Sequence, residues 1–160
     1  MMKIINKLLS RKEFVEYIRE KKITRYIDKI VLHHTHSTIT EWKKGERSIK
    51  YYKDLYEEKG WDSGPHFFVA PEGIWLFTDI NIEGIHANDG NGGSVGIEMI
   101  GRYDAKAPSG EVWNNTKLVL NALIKKIGLS AREIHLHRKY NSSKSCPGRA
   151  VTYKWLMSQL

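Results

Sequence analysis

Short apolar runs alternate with amphipathic helical stretches along this chain, and that alternation limits its fold more than any other feature. Ile30-Val31-Leu32, Val95 to Ile100 and Ile134 to Leu136 read as buried strands. Phe67 to Ala70 and Ile74 to Thr78 flank Pro71-Glu72-Gly73 and read as a hairpin with turn chemistry at its tip. Helical spacing predicts helices over Arg11 to Lys22, Ser48 to Lys59, Thr116 to Ile127 and Tyr153 to Leu160, with Gly60 and Gly128 as stops. Ser10 and Glu13 form the pattern of a capping box, in which each side chain satisfies a free N–H of the other's turn. The segment Asn81 to Ser94, rich in Gly, Asn and Asp, reads as a loop. Helices and strands interleaved over 160 residues predict one α/β domain, a central mixed β-sheet flanked by helices. The expected division is an N-terminal basic helical arm, residues 1–29, packed on a main domain of residues 30–160.

Composition narrows the partners. Hydrophobic residues at 41% and charged residues at 28% suffice for a core and exclude a wholly disordered chain. The 26 Lys+Arg against 18 Asp+Glu leave a net charge of +8, which suits nucleic acid, an anionic membrane or an anionic cell-wall polymer. No run approaches the roughly 20 apolar residues of a membrane span. The first residues offer only Leu8-Leu9 where a signal peptide needs about 7–15 apolar residues, so no export signal is expected. The single cysteine, Cys146, rules out an internal disulfide.

All seven histidines lie between His33 and His137, in four clusters at predicted strand ends or in adjoining loops. One histidine alone is usually structural; the collection is harder to dismiss. His137 and Cys146 are separated by a loop long enough to turn an imidazole and a thiolate toward one ion, and both are good zinc ligands. A third ligand from an early strand would leave the fourth position open, as in catalytic rather than structural zinc sites. Glu98, set among Val95, Ile97 and Met99, is either exposed on an edge strand or a desolvated base with a raised pKa. His135 and His137 share a face by strand alternation, so parity does not separate them, whereas His33 and His34 point to opposite faces.

Five motifs in order, His33-His34-Thr35, Gly64-Pro65-His66-Phe67-Phe68, Gly96-Ile97-Glu98, His137-Arg138 and Lys144-x-Cys146-Pro147-Gly148, resemble the zinc-dependent N-acetylmuramoyl-L-alanine amidases. That family takes in phage lysozyme-type endolysins, peptidoglycan-recycling amidases and peptidoglycan recognition proteins. The resemblance runs from about Ile30 to Gly148 and leaves residues 1–29 uncovered. It implies an amidase-like fold and one Zn²⁺ per chain held by His33, His137 and Cys146, with water in the remaining position. His137 is preferred to His135 because the family's ligand is commonly followed by arginine. Glu98 matches the family's catalytic carboxylate and Lys144 the lysine that stabilises the oxyanion. His34, His66, His86 and Asn88 are expected near the substrate. Pro65 departs from the pattern, since many relatives carry tyrosine there, so Glu98 is the expected proton carrier.

The implied reaction is hydrolysis of the amide between N-acetylmuramic acid and the L-alanine of the stem peptide. The expected partner is peptidoglycan or a muropeptide, with no nucleic acid, no membrane span and a monomeric chain. No helix-turn-helix, RNA-recognition or zinc-finger signature supports nucleic-acid binding, and the deaminase pair H-x-E and P-C-x-x-C is absent. A binding-only member of the same fold is the alternative. The expected setting is an endolysin made in the cytoplasm and acting on the wall after release, ahead of a cytosolic recycling enzyme.

Overall fold

The computed structural model describes residues 1–160. Its strands are β1 (Lys7–Leu9), β2 (Lys29–His34), β3 (Phe67–Ala70), β4 (Gly73–Leu76), β5 (Ser94–Met99) and β6 (Ile134–Leu136). The helices are α1 (Arg11–Glu20), α2 (Ile39–Lys43), α3 (Ile49–Glu58), α4 (Gly110–Ile127) and α5 (Tyr153–Gln159). The strands form one mixed sheet in the order β1-β4-β3-β5-β2-β6. β2 runs parallel to both β5 and β6, and β3 and β4 form the expected antiparallel hairpin. No helix is long and apolar enough to cross a membrane.

Strand alternation sorts the side chains into two faces. Ile30 and Leu32 of β2, Val95, Ile97 and Met99 of β5, and Phe67 and Val69 of β3 enter a cluster of 24 buried residues. Phe14 and Ile18 of α1 and Val119, Leu120 and Leu123 of α4 complete that core. On the opposite face, Phe68, Ala70 and Ile100 join Trp42 of α2 and Ile49 and Tyr52 of α3 in a cluster of eight. At the carboxyl end of the parallel strands this second face is left open, where ligands collect in sheets of this type.

The capping box of α1 is formed: the Ser10 hydroxyl accepts from the Glu13 N–H and the Glu13 carboxylate from the Ser10 N–H. The basic character expected of this arm is partly offset by acidic neighbours. Within Arg11–Glu20 three basic residues meet Glu13, Glu16 and Glu20, and Arg11 is paired with Glu111 at 2.6 Å. Lys21, just beyond the helix, is paired with Asp79 at 2.6 Å.

Other differences trace to tertiary contacts. β1 pairs antiparallel with β4, and three residues give too short a pattern to read. Gly73 permits this approach, because a Cβ there would lie 2.4 Å from the Leu9 carbonyl oxygen. α4 begins at Gly110 rather than Thr116, through residues of poor helix propensity. Asn115 supports that first turn from inside: its amide donates to the Ala70 carbonyl at 2.8 Å and its oxygen accepts from Arg11 at 2.6 Å. α2, capped by Thr38 and Glu41, was too short to show helical periodicity. β2 extends through His33 and His34 because both continue pairing with β5.

Candidate active site

β2 and β5 are in a register that pairs His33 with Glu98, so the two side chains share a face at the open end of the sheet. The chain leaving β6 turns tightly through His137–Lys139, which brings His137 beside His33 with ring centroids 4.3 Å apart. The following loop returns Cys146 to the same place, its Sγ 3.8 Å from His33 Nδ1. Arg138 holds that loop: its guanidinium donates to the carbonyls of Ser145, Gly148 and Val151, and its own N–H donates to the Cys146 carbonyl. An arginine after His137 therefore has a structural reason here.

One donor atom each from His33, His137 and Cys146 lies within 4.8 Å of the others. Burial holds the His33 imidazole well below its usual range, and burial followed by the Lys144 charge lowers His137 to about 4. Both rings are thus neutral and have lone pairs to offer. Burial, reinforced by Glu98, pushes the Cys146 thiol up, which makes it a poor nucleophile. A metal cation can still displace its proton, because metal affinity of such ligands is coupled to proton release. Two imidazoles and one thiolate form a borderline-soft donor set with three members, a set that fits zinc with one position left for water or substrate.

Glu98 is 8% exposed and accepts no hydrogen bond from the protein. Burial raises its pKa to about 8, opposed by the charge of Lys59. Of the two environments compatible with its sequence, the desolvated one is realised. The carboxyl opens into a cleft of about 530 Å³ that His33, His137, Cys146 and Lys144 also line. Glu98 is the only acidic residue lining it, against Lys59, Lys144 and Arg149. Lys144 sits exposed at the rim.

His34 points to the opposite sheet face, as alternation requires, and its Nδ1 accepts from the Tyr103 N–H at 3.1 Å. His34, His36 and Asp104 also bring donor atoms within 4.8 Å of one another. With Nδ1 occupied as an acceptor, however, the proton of neutral His34 resides on Nε2, so this trio lacks a third free donor. His34, His86 and Asn88 all line the cleft. His135 turns away to the Tyr140 hydroxyl and is not part of the cluster.

His66, expected near the substrate, does not line the cleft. It is fully buried, its Nδ1 accepts from the Gly96 N–H at 2.9 Å and its Nε2 donates to the Ile82 carbonyl at 2.9 Å. With both nitrogens used internally, it ties the start of β3 to β5 and to the loop before it.

Sequence reading missed the wall supplied by α3. Tyr52, Tyr56, Lys59 and Trp61 line the cleft, with Tyr56 stacked on Trp61 at 5.5 Å and the Lys59 ammonium 4.7 Å from the Trp61 ring. Tyr52 and Tyr56 share a side of this helix with Ile49 and Leu55, and only the incomplete cover over this end of the sheet turns that side into a cleft wall. Asn91 was missed as well: its side-chain oxygen accepts the N–H groups of His86 and Ala87, holding the loop beside β5.

The fold and the His-His-Cys constellation together give the domain an amidase-like architecture. The chain belongs to the N-acetylmuramoyl-L-alanine amidase family, whose model matches residues 23–149. Peptidoglycan-recognition protein SD of Drosophila melanogaster is 29% identical over 99 residues, 61% of this chain and 53% of that protein. The chain thus matches about half the length of that relative. Among solved structures, the N-acetylmuramoyl-L-alanine amidase LysC from Clostridium intestinale URNW superposes with a TM-score of 0.72 at 17% identity, covering 87% of this chain and 89% of that one. Peptidoglycan recognition protein-LE in complex with tracheal cytotoxin superposes with a TM-score of 0.72 at 20% identity, covering 98% and 87%. These structural likenesses speak for the fold.

Proposed function

We propose that this chain is a zinc-dependent amidase that hydrolyses the bond between N-acetylmuramic acid and the L-alanine of the stem peptide. The observation that carries this reading is the convergence of His33, His137 and Cys146 beside a buried, unpaired Glu98 in one open cleft. His33, His137 and Cys146 would hold the zinc, which when bound would supply Lewis acidity toward a carbonyl and lower the pKa of water toward neutrality. Glu98 accepts the proton of the attacking water at its carboxylate and returns it to the nitrogen of the leaving L-alanine. A pKa near neutrality suits a group with both duties. The Lys144 ammonium stabilises the negative charge that develops on the carbonyl oxygen.

The family also includes recognition proteins, so a binding-only role is the second reading; the complete ligand set with Glu98 and Lys144 in place favours catalysis. The net charge of +8 suits an anionic wall and supports an endolysin setting, synthesis in the cytoplasm followed by action on the wall. Digestion of purified sacculi should release glycan strands and peptides with free L-alanine N-termini, read by mass spectrometry. Chelator treatment should abolish release and zinc restore it, and Cys146→Ser should lower the bound zinc from about one equivalent per chain. Binding of sacculi without any freed L-alanine in the zinc-loaded protein would establish the recognition role instead.

A further inference from the structure

Beside the metal cluster lies a chain of hydrogen bonds whose directions can be assigned from chemistry alone. The Ser94 hydroxyl is 2.8 Å from the Asn91 carbonyl, which can only accept, so the one hydroxyl proton of Ser94 is committed there. In its 3.2 Å contact with His86 Nε2, Ser94 Oγ must therefore accept, which places a proton on that nitrogen. The His86 ring borders the cleft and packs against His33, His66, Ser94 and Gly96, and no carboxylate touches it to hold a second ring proton, so it carries one. Its Nδ1 is then bare and accepts in the 2.9 Å contact with His33 Nε2. His33 accordingly carries its proton on Nε2, and its Nδ1 lone pair faces Cys146 Sγ 3.8 Å away.

We propose that His86, set by Ser94 and the Asn91 carbonyl, is a positioning residue that locks His33 in the tautomer able to ligate metal through Nδ1. The proposal rests on the zinc reading for its purpose but not for its geometry. Two further features hold the relay in place. Asn91 Oδ1 accepts the main-chain N–H groups of His86 and Ala87 at 2.9 and 2.6 Å. Gly96 leaves the space the His86 ring occupies, since a Cβ there would lie 2.7 Å from ring atoms. A partner on the far nitrogen commonly orients a metal-bound histidine, and its loss weakens metal binding by roughly 10- to 100-fold.

The test reads the tautomer and the metal separately. In metal-free wild-type protein, long-range proton–nitrogen NMR should show His33 protonated on Nε2. Ser94→Ala deletes the acceptor and frees His86 to reverse, so the His33 spectrum should shift toward Nδ1–H. His86→Leu should weaken zinc binding, measured by competition with a chromogenic chelator, by roughly 10- to 100-fold. His86→Asn keeps an acceptor near the Nδ1 position and should recover most of that loss. If His86→Leu fails to fold, the Ser94→Ala spectrum and zinc affinity decide the matter. A wild-type His33 protonated on Nδ1, or a Ser94→Ala protein with unchanged tautomer and unchanged zinc affinity, would overturn the relay. Nε2–H in a wild-type protein that binds no zinc would uphold the relay while sinking the zinc reading.

Discussion

The two faces of the sheet use the same strands for opposite ends. On β2, Ile30 and Leu32 enter the 24-residue core, while His33, on the face shared with Val31, enters the cleft. On β5, Ile97 and Met99 go to the core, and Glu98 between them is buried with no hydrogen bond from the protein. The first face is apolar, closed by α1 and α4, and contributes burial free energy in proportion to the area removed from water. The second has a smaller cluster beneath α2 and α3 and then opens onto neutral imidazoles, a neutral thiol and a desolvated carboxyl. The Glu98 carboxyl, buried without a hydrogen bond, costs stability on this face. A sheet divided in this way keeps chemistry from loosening the core, because substitutions on one face need not disturb the other.

The sharpest way to break this division is to cross-test stability and activity on the two faces. Phe67, 1% exposed and packed edge-on against Phe14 at 5.2 Å, lies in the core face. Phe67→Ala should cost about 3–5 kcal/mol of unfolding free energy in urea titrations. A cost below about 1 kcal/mol would deny that this face carries the stability.

Glu98→Gln should behave in the opposite sense. Amide release from muropeptide should fall by roughly 100-fold or more with zinc content unchanged. In chelator-treated protein the same substitution should stabilise the fold. The folded-state pKa of Glu98, about 8, lies above its ordinary 4.5, so as the pH rises the unfolded chain loses this proton first. Stability is therefore full below pH 4.5 and declines as the pH rises toward 8. Glutamine removes that decline, worth on the order of 1–3 kcal/mol near pH 7 and several degrees in Tm. A Tm for Glu98→Gln at or below the wild-type value across that range would remove the case for a desolvated carboxyl.

The smallest effect is expected at the boundary of the two regions. The Ser145 side chain and then the Arg149 N–H hold the Asp104 carboxyl down at about 2, tying it to the loop around Cys146. This folded-state pKa lies below the ordinary 3.8, so the contribution is present above that pH and is lost as the pH falls toward 2. Asp104→Asn should lower Tm at neutral pH by on the order of 1–2 °C, with the difference vanishing in acid. A constant difference across the pH scan would show that the carboxylate charge is not what holds the loop.

Much of this architecture could be read before folding was considered. Strand and helix periods are local properties, and so is the capping of α1 by Ser10 and Glu13. The order of His33, Glu98, His137 and Cys146 carried the family resemblance because each sits in a short motif of its own. Strand parity separated His33 from His34, but it was silent on His135 and His137, since both belong to the same parity class. The turn after β6 made that choice: it carries His137 on to His33 and leaves His135 at the Tyr140 hydroxyl.

By itself, then, the sequence determined the α/β class, most of the elements and the residue types able to hold a metal and move a proton. Tertiary structure alone decided which histidines meet. It consumed both nitrogens of His66 in internal hydrogen bonds, placed His86 behind His33, and brought Tyr56 and Trp61 together in a cleft wall. It also joined β1 to the sheet and paired Lys21 with Asp79, cancelling charge that looked free in the linear chain. The physical reason is common to all of these. Periodicity and capping depend on neighbours a few residues apart, whereas a ring nitrogen's partner, a carboxyl's desolvation and a helix face's cover depend on groups tens of residues away that only the closed sheet brings within reach.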